Sequence, residues 1–182
     1  MANWHTRYAN ARKYNQWQGN ETGLMNLFNS QADRERVELL RNLDVFRDLS
    51  FKEALEINEL LHERVYEKGE IIFEQGDVGH GIYVVVSGKA QVDSQHELLK
   101  SAMVEFGPGQ MVGELTLFKE GPRFATVVAV ERTVMVGLFN AEFSTLLTKN
   151  TKIGVKLLVR LCSTICERAR RLLLQQRHTP SL

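Results

Sequence analysis

A carboxylate, a run of backbone amides and an arginine lie within eleven residues, between Gly113 and Arg123. Gly113 has no Cβ, so the backbone there can approach a bound group closely. Glu114 begins a short helical stretch, predicted to reach Lys119, and the first amides of a helix lack internal partners and attract anions. Arg123 follows the Gly121–Pro122 turn and has a forked donor geometry suited to phosphate. The pattern indicates a pocket for a small anion that also carries hydroxyl groups.

The segments on both sides of this stretch have the pattern of short strands. Apolar, partly β-branched segments recur every eight to twelve residues, between glycine turns, which is typical of an antiparallel sandwich or barrel. The predicted strands are the two halves of Val65–Phe73, then Ile82–Val86, Lys89–Val92, Ser101–Phe106, Ala125–Val130 and Thr133–Phe139.

Helical periodicity flanks the strands on both sides. Ser50 and Glu53 have the spacing of a capping box, and Asn140 is predicted to cap a later helix. The predicted helices are Asp33–Asn42, Phe51–Leu61, one that starts at Asn140, and Lys152–Gln176. The apolar face of the last helix is predicted to comprise Val155, Leu158, Leu161, Ile165, Ala169, Leu172 and Leu173.

Composition excludes several classes of protein. The 182 residues are 43% hydrophobic and 25% charged, with a net charge of +1, so there is no global attraction to nucleic acid or an anionic membrane. No apolar run reaches the length of a membrane span, and the N-terminus lacks the apolar core of a secretory signal. We therefore expect a cytoplasmic protein.

Neither a metal site nor a catalytic set is expected. Cys162 and Cys166 are predicted to be small buried residues, because a structural zinc site normally needs four ligands. The five histidines are scattered along the sequence. No nucleophile, base and acid occur in a recognisable arrangement, so the sequence predicts no enzyme and no cofactor.

The stretch around Arg123 resembles a known family. Gly-Glu-Leu at 113–115, followed by Pro-Arg-x-Ala-x-Val-x-Ala at 122–129, is similar to the phosphate-binding cassette of cyclic nucleotide-binding domains. Such domains occur in protein kinase A regulatory subunits, catabolite activator proteins and cyclic-nucleotide-gated channels. Gly-Glu-x-Ile-Phe-x-Gln-Gly-Asp at 69–77 and Ser-Gly at 87–88 resemble the first half of the same fold. The resemblance, to a stand-alone bacterial-type domain, spans residues 43–173.

The resemblance implies a mainly β member of the α+β class. It is a double-stranded β-helix, or jelly-roll barrel, with N-terminal helices and a long C-terminal helix. The expected divisions are an N-terminal extension at 1–30, the barrel with its leading helices at 31–141, C-terminal lid or dimerisation helices at 142–177, and a tail at 178–182. The aromatic side chains of the extension suit either a mobile segment or a partner-docking arm.

The resemblance also implies a role for each residue of the site. Glu114 would accept a hydrogen bond from the ribose 2′-hydroxyl, and Arg123 would bind the phosphate, with Gly113 allowing close approach. The amides that complete the phosphate cradle would be those of Leu115, Thr116, Phe124 and Ala125. The apolar wall for the base would comprise Met103, Val104, Met111 and Val112, and the lid would be Leu172 or Leu173.

Two positions depart from the family pattern. Phe124 stands where the family usually has a small residue or a hydroxyl, and Thr116 stands where it often has alanine. Phe124 could point away from the pocket or fill it. A hydroxyl after the arginine often accompanies selectivity for cyclic GMP, so Phe124 favours cyclic AMP.

The resulting hypothesis is a non-catalytic cyclic nucleotide sensor, with cyclic AMP or cyclic GMP as ligand. Its C-terminal helix would move over the base and signal to a separate effector protein. A homodimer through that helix is also expected, along a seam of Leu158, Leu161, Ile165 and Leu172. Only Thr179–Leu182 follow the helix, so no DNA-binding module is expected. The alternative is a domain that has lost its ligand and serves as a protein-interaction scaffold.

The arginines of the last helix leave two interpretations open. They could form a solvated face, or a basic patch that docks a partner or a membrane. The arginines concerned are Arg160, Arg168, Arg170, Arg171 and Arg177.

Overall fold

The computed structural model describes residues 31–93, 104–118 and 121–176. Met103, the tail and the N-terminal extension, with the predictions made for them, lie outside these residues. The chain divides into two compact units, Met1–Arg36 and Val37–Leu182. The second unit contains every strand named below.

The described strands form two antiparallel sheets of four strands each. One sheet has the order β1-β8-β3-β6 and the other β2-β7-β4-β5. The strands are β1 His62–Tyr66, β2 Ile71–Phe73, β3 Gly81–Ser87, β4 Ala90–Asp93, β5 Glu105–Phe106, β6 Met111–Val112, β7 Thr126–Ala129 and β8 Thr133–Phe139. The predicted jelly roll is confirmed, as two sheets that face each other.

Alternation along β3 explains how one strand serves two cores. Ile82 and Val84 face the helices, and they pack with buried residues of α-helical segments on that side. Val85 faces the opposite way and packs between the two sheets with residues such as Val127 and Met135. The apolar run predicted as a buried strand therefore separates a helix-side core from an inter-sheet core.

The described chain contains four α-helices. They are α1 Gln31–Arg41, α2 Phe51–Asn58, α3 Asn140–Lys149 and α4 Thr151–Gln176. The capping box predicted for α2 is present: the Glu53 amide donates to the Ser50 hydroxyl, and the Ser50 amide donates to the Glu53 carboxylate. This helix ends at Asn58 rather than at Leu61 as predicted.

The cap predicted for α3 is wrong. The residue at the cap position is Phe139, which makes no side-chain cap hydrogen bond. Asn140 already lies within the helix, and its Nδ2 donates to the carbonyl of Thr116 at 3.3 Å. The amide side chain is thus used to hold the cassette against α3 instead of capping the helix.

The first part of α4 is packed into the helix-side core. Ile153, Leu157 and Leu161 have no exposed surface. The buried face was predicted only in part, because Val155, Ala169 and Leu173 are exposed. Leu161 belongs to the core rather than to a surface, so the predicted dimer seam through Leu161 is wrong.

Ion pairs hold the same part of α4 to the segment around α2. Lys156 Nζ lies 2.6 Å from Glu53 Oε2, and Arg160 makes a two-pronged contact with Asp48 at 2.5 and 2.7 Å. The Lys156 ammonium and the Ser50 amide lower the pKa of Glu53 to about 2. The hydrogen bond from Arg160 likewise lowers the pKa of Asp48. Arg160 is therefore a structural residue rather than part of a solvated basic face.

Cys162 and Cys166 are exposed, free thiols, which contradicts the prediction that they are buried. At 100° per residue, both cysteines lie on the side of α4 opposite to the buried Ile153, Leu157 and Leu161. In the part of the chain that the structure describes, no helix has both the length and the hydropathy of a membrane span.

Candidate functional site

The cassette turns sharply at its glycine. Gly113 has a φ of 86°, in the left-handed region that favours glycine. A Cβ at Gly113 would collide with the guanidinium of Arg123. The helical stretch that follows is a single 3₁₀ turn, Glu114–Thr116, and is shorter than the predicted segment that reaches Lys119.

The side chain of Arg123 lies inside the protein, with 6% of its surface exposed. Nη1 donates to the Gly113 carbonyl at 3.0 Å and to the Thr116 hydroxyl at 2.8 Å. Nη2 donates to the Gly81 carbonyl, at the start of β3, at 2.9 Å. The guanidinium also stacks 4.2 Å from the centroid of the Phe73 ring. These contacts join the cassette to the strands of both sheets.

The charge of Arg123 has no anionic partner in direct contact among the described residues, since its three hydrogen-bond acceptors are all uncharged. Glu120, three residues before Arg123 in the sequence, lies outside the described residues. Desolvation lowers the pKa of Arg123, while Tyr83, Asp77 and Glu114 act in the opposite direction. A buried cation held by neutral acceptors is costly, and an anion that entered beside it would offset this cost.

Glu114 is also buried, and its carboxylate is already engaged. Arg168, from α4, donates from Nη1 to Glu114 Oε1 at 2.5 Å. The other end of the same guanidinium contacts the Met111 carbonyl at 2.5 Å, and the group lies over the Phe106 ring at 5.2 Å. The predicted sugar-binding carboxylate is therefore linked directly to the C-terminal helix.

These groups surround one cavity of about 400 Å³, a volume in the range of small-molecule sites. Its lining includes nine of the predicted site residues: Val104, Val112, Gly113, Glu114, Leu115, Thr116, Arg123, Phe124 and Ala125. The remaining lining residues include Phe73, Val92, Phe106, Val127, Arg168 and Arg171. Apolar walls thus meet three arginines and the carboxylates of Glu105 and Glu114.

Free amides occur where the cassette prediction requires them. The amides of Leu115, Phe124 and Ala125 donate to no acceptor within the described parts of the chain. The amide of Thr116 donates to the Gly113 carbonyl at 3.3 Å and is not free. Phe124 lies at the rim with 66% of its surface exposed, so its side chain points outward and leaves the cavity open.

The base wall and the lid correspond only in part to their predictions. Met103 lies outside the described residues, as does the side chain of Leu172. Met111 packs in the helix-side core and does not line the cavity. Leu173 is 64% exposed and is not part of the lining, so its lid role stays a prediction.

Three contributors were missed from the sequence. Phe73 and Gly81 lie far along the chain from Arg123, and the motif contains no signal for them. Arg168 was noted only as one of several arginines on α4. Its position seven residues after Leu161, on the buried side of the helix, is the signal that could have identified it.

No group of three or more potential metal ligands occurs in residues 31–93, 104–118 and 121–176. The site offers groups that can bind a ligand: one buried guanidinium, free amides, a carboxylate and apolar walls. This combination suits a ligand with a phosphate, a hydroxyl and an apolar ring.

Comparison with known proteins agrees with this geometry. The family model described as "Cyclic nucleotide-binding domain" matches residues 63–150, which contain both sheets and the cassette. These residues belong to the cyclic nucleotide-binding domain family. The resemblance inferred from the cassette is thereby confirmed.

Relatives and solved structures place the domain in context. The chain is 32% identical over 111 residues to the "Cyclic AMP receptor protein" of Thermus thermophilus, covering 60% of this chain and 51% of that protein. It is 32% identical over 117 residues to the "cAMP-dependent protein kinase regulatory subunit" of Dictyostelium discoideum, covering 62% and 34%. A solved cyclic nucleotide-binding domain from Methylobacillus flagellatus superimposes with a TM-score of 0.70 at 19% identity, covering 91% of this chain and 99% of that chain.

The chain thus spans about half the length of one curated relative and about a third of the other. What is shared with them is the domain. The Methylobacillus flagellatus structure, at 19% identity, supports the fold.

Proposed function

We propose that this chain binds a cyclic nucleotide in the cavity and acts as a non-catalytic regulatory domain. The observation that carries the proposal is the buried guanidinium of Arg123, which opens onto the cavity without a carboxylate partner in the described residues. A cyclic phosphate would supply the missing negative charge. The amides of Leu115, Phe124 and Ala125 would donate to its remaining oxygens.

The carboxylate of Glu114 would bind the ribose. Arg168 contacts only Oε1, so the second carboxylate oxygen can accept from the 2′-hydroxyl. The base would lie against the apolar side of the cavity, formed by residues such as Val92, Val104 and Val127. We favour cyclic AMP over cyclic GMP, because Phe124 brings no hydroxyl to the position after the arginine and points outward.

The same carboxylate would connect a bound ligand to α4, and so to a signal. Ligand and α4 would meet at Glu114, because Arg168 already binds there. A ligand that changes the orientation of Glu114 changes the position that Arg168, and the end of α4, prefers. To act as a signal, the ligand must bind one helix arrangement better than the other. We propose that a separate effector protein recognises this arrangement.

Calorimetric titration with cyclic AMP, cyclic GMP and the non-cyclic control 5′-AMP tests the ligand. We expect binding of cyclic AMP in preference to both others. Arg123→Ala should weaken binding by about 2–5 kcal/mol, the loss typical of a buried charged contact. Arg123→Lys, which keeps the charge but not the fork, is the matched control and should lose less.

Both variants need a thermal unfolding measurement, because Arg123 also joins the cassette to β3. Equal affinity of the folded Arg123→Ala variant and the unmodified protein would refute the phosphate contact. Absence of heat with either cyclic nucleotide would refute the sensor.

A ligand-free scaffold is the second candidate, and one observation favours it. Leu115, Phe118 and Phe124 are 53%, 47% and 66% exposed, and all three lie on the cassette. Contiguous exposed apolar side chains mark a protein contact surface, and the scaffold requires these three to form one. The titration separates the two candidates, because the scaffold predicts no ligand and the sensor requires one.

A further inference from the structure

The hydroxyl of Thr116 makes two hydrogen bonds within the cassette that an alanine at this position cannot make. It accepts from Nη1 of Arg123 at 2.8 Å and donates to the Gly113 carbonyl at 3.0 Å. The direction of both bonds is fixed, because a guanidinium can only donate and the hydroxyl has a single hydrogen. Thr116 is 3% exposed. Its hydroxyl is therefore a buried acceptor for one end of Arg123.

A count of the donors of Arg123 shows what these contacts leave available. A guanidinium has five N–H groups. Nη1 has two hydrogens and two acceptors, Gly113 and Thr116, and Nη2 donates once, to Gly81. Within the described residues, no acceptor is bound by the N–H of Nε or by the second N–H of Nη2. These two nitrogens form one edge of the guanidinium, and neighbouring donors of this kind suit a two-pronged contact with phosphate.

The side chain of Thr116 is held in place by its surroundings. A Cβ at Gly79 would collide with the Thr116 hydroxyl, so the side chain packs directly on the backbone of Gly79. The carbonyl of Thr116 accepts from Asn140 Nδ2 at 3.3 Å, which ties the same residue to the start of α3. The hydroxyl is therefore a fixed point to which Nη1 is attached.

The Gly113 carbonyl would not hold Nη1 equally well without the hydroxyl. It also accepts from the amide of Thr116 at 3.3 Å, so three donors share the two lone pairs of one oxygen. If the hydroxyl were absent, a buried N–H of Arg123 would lose its acceptor, which is costly. The guanidinium would reorient to satisfy that group, and its free edge would turn with it.

We propose that Thr116 is a positioning residue, whose hydroxyl holds Nη1 of Arg123 so that the Nε–Nη2 edge receives the phosphate of the cyclic nucleotide. This inference rests on the proposed function. The hydroxyl acts through Arg123 and does not itself bind the ligand. The role also differs from the one predicted for Thr116 from the sequence, which assigned its amide to the phosphate cradle.

Calorimetric titration of the full chain with cyclic AMP tests the role of the hydroxyl. Thr116→Val keeps the shape of the side chain and removes the hydroxyl, and it should weaken binding about tenfold, as expected when a hydrogen bond to a charged group is lost. Thr116→Ser keeps the hydroxyl, so it is the matched control and should bind like the unmodified protein. Circular dichroism verifies that both variants fold.

A double-mutant cycle with Arg123→Lys distinguishes positioning from a contribution to folding alone. A lysine has no planar fork to orient, so Thr116→Val should not weaken binding further in the Arg123→Lys background. A hydroxyl that only supports the fold would cost the same in both backgrounds. Gly79→Ala displaces the hydroxyl without removing it, and it should weaken binding as Thr116→Val does.

The outcomes separate this inference from the proposed function. Unchanged binding by Thr116→Val, or an equal loss in both backgrounds, would overturn the positioning role and leave the proposed function intact. Tighter binding by Thr116→Val would mean that the hydroxyl competes with the phosphate for Nη1, and would also overturn the positioning role. Absence of heat with the unmodified protein would refute the proposed function and this inference together.

Discussion

The two halves of α4 have different environments. The proximal half, residues 151–161, is held by buried leucines and by Lys156 and Arg160, which pair with carboxylates around α2. The distal half, residues 162–176, is mostly exposed. Its charged contact with the rest of the domain, among the described side chains, is Arg168 with Glu114.

This difference indicates that the two halves of the helix contribute differently to the domain. The proximal half belongs to the folded core, so its position is fixed by the same energy that holds the domain together. The distal half can change position at little cost to the core, because few buried contacts depend on it. The contact that holds it lies at the cavity, so under the proposed function this half is the part that a ligand would influence.

The largest expected effect is on the free energy of unfolding, which should respond differently to the same substitution in the two halves of α4. Leu157→Ala removes a fully buried side chain and should lower the free energy of unfolding by about 2–5 kcal/mol. Leu173→Ala, the same change in the distal half, should alter it by less than about 0.5 kcal/mol. Urea unfolding measures both, and similar losses would show that the distal half is also part of the core.

The next effect concerns the ion pair of the proximal half. Glu53→Gln should destabilise the domain by about 1–3 kcal/mol at neutral pH, because the charged hydrogen bond from Lys156 is lost. The folded pKa of Glu53, about 2, lies below the ordinary value of 4.5. Its contribution is therefore fully present above pH 4.5 and is lost as the pH falls toward 2.

Urea unfolding across this pH range follows the difference between Glu53→Gln and the unmodified protein. The difference should shrink steadily as the pH falls. Glu59→Gln, an exposed residue at the end of α2, serves as the control and should show little change at any pH. A difference that stayed constant down to pH 2 would contradict the assigned ion pair.

A smaller effect on stability is expected where the distal half meets the site. Arg168→Gln should change the free energy of unfolding by no more than about 1 kcal/mol, as is usual for a partly exposed ion pair. Hydrogen exchange of the amides between 166 and 176 should nevertheless become faster. Arg160→Gln, which breaks the pair with Asp48 instead, should leave those amides unchanged. Equal effects of the two variants on the distal amides would remove the special role of Arg168.

The smallest effect is the response to ligand. Cyclic AMP at saturating concentration should slow exchange in the distal half several-fold, because the proposed movement of the helix over the base would hold it more firmly. The proximal half should be unchanged, and the response should be absent in Arg123→Ala. Slowing that was uniform along α4 would mean that the ligand stabilises the domain as a whole and does not act through its distal end.

The cassette and the jelly roll could be predicted because their signals are local. Gly113 must adopt a left-handed conformation, Arg123 follows a proline turn, and the strands are separated by glycines at short intervals. Each of these features depends on a few consecutive residues. The capping box of Ser50 and Glu53 was also found correctly, for the same reason.

The orientation of α4 could not be predicted, because the helix has two apolar faces. Leu157 and Leu161 occupy one face, and Val155 and Val159 occupy the other, so periodicity alone does not identify the buried side. The partners of Glu114 and Arg123 were missed for a different reason. Arg168 and Gly81 are distant in sequence from the cassette, and only the packing of α4 and β3 brings them to it.

The internal contacts of Arg123 bear on how related sequences should be interpreted. Its guanidinium holds the cassette to β3 and to Phe73 through contacts with protein atoms alone. A descendant that lost its ligand would still lose stability without this side chain, and selection would retain it. An arginine at this position therefore identifies the architecture of the loop. Evidence for the ligand must come from the unoccupied amides beside it and from the space they enclose.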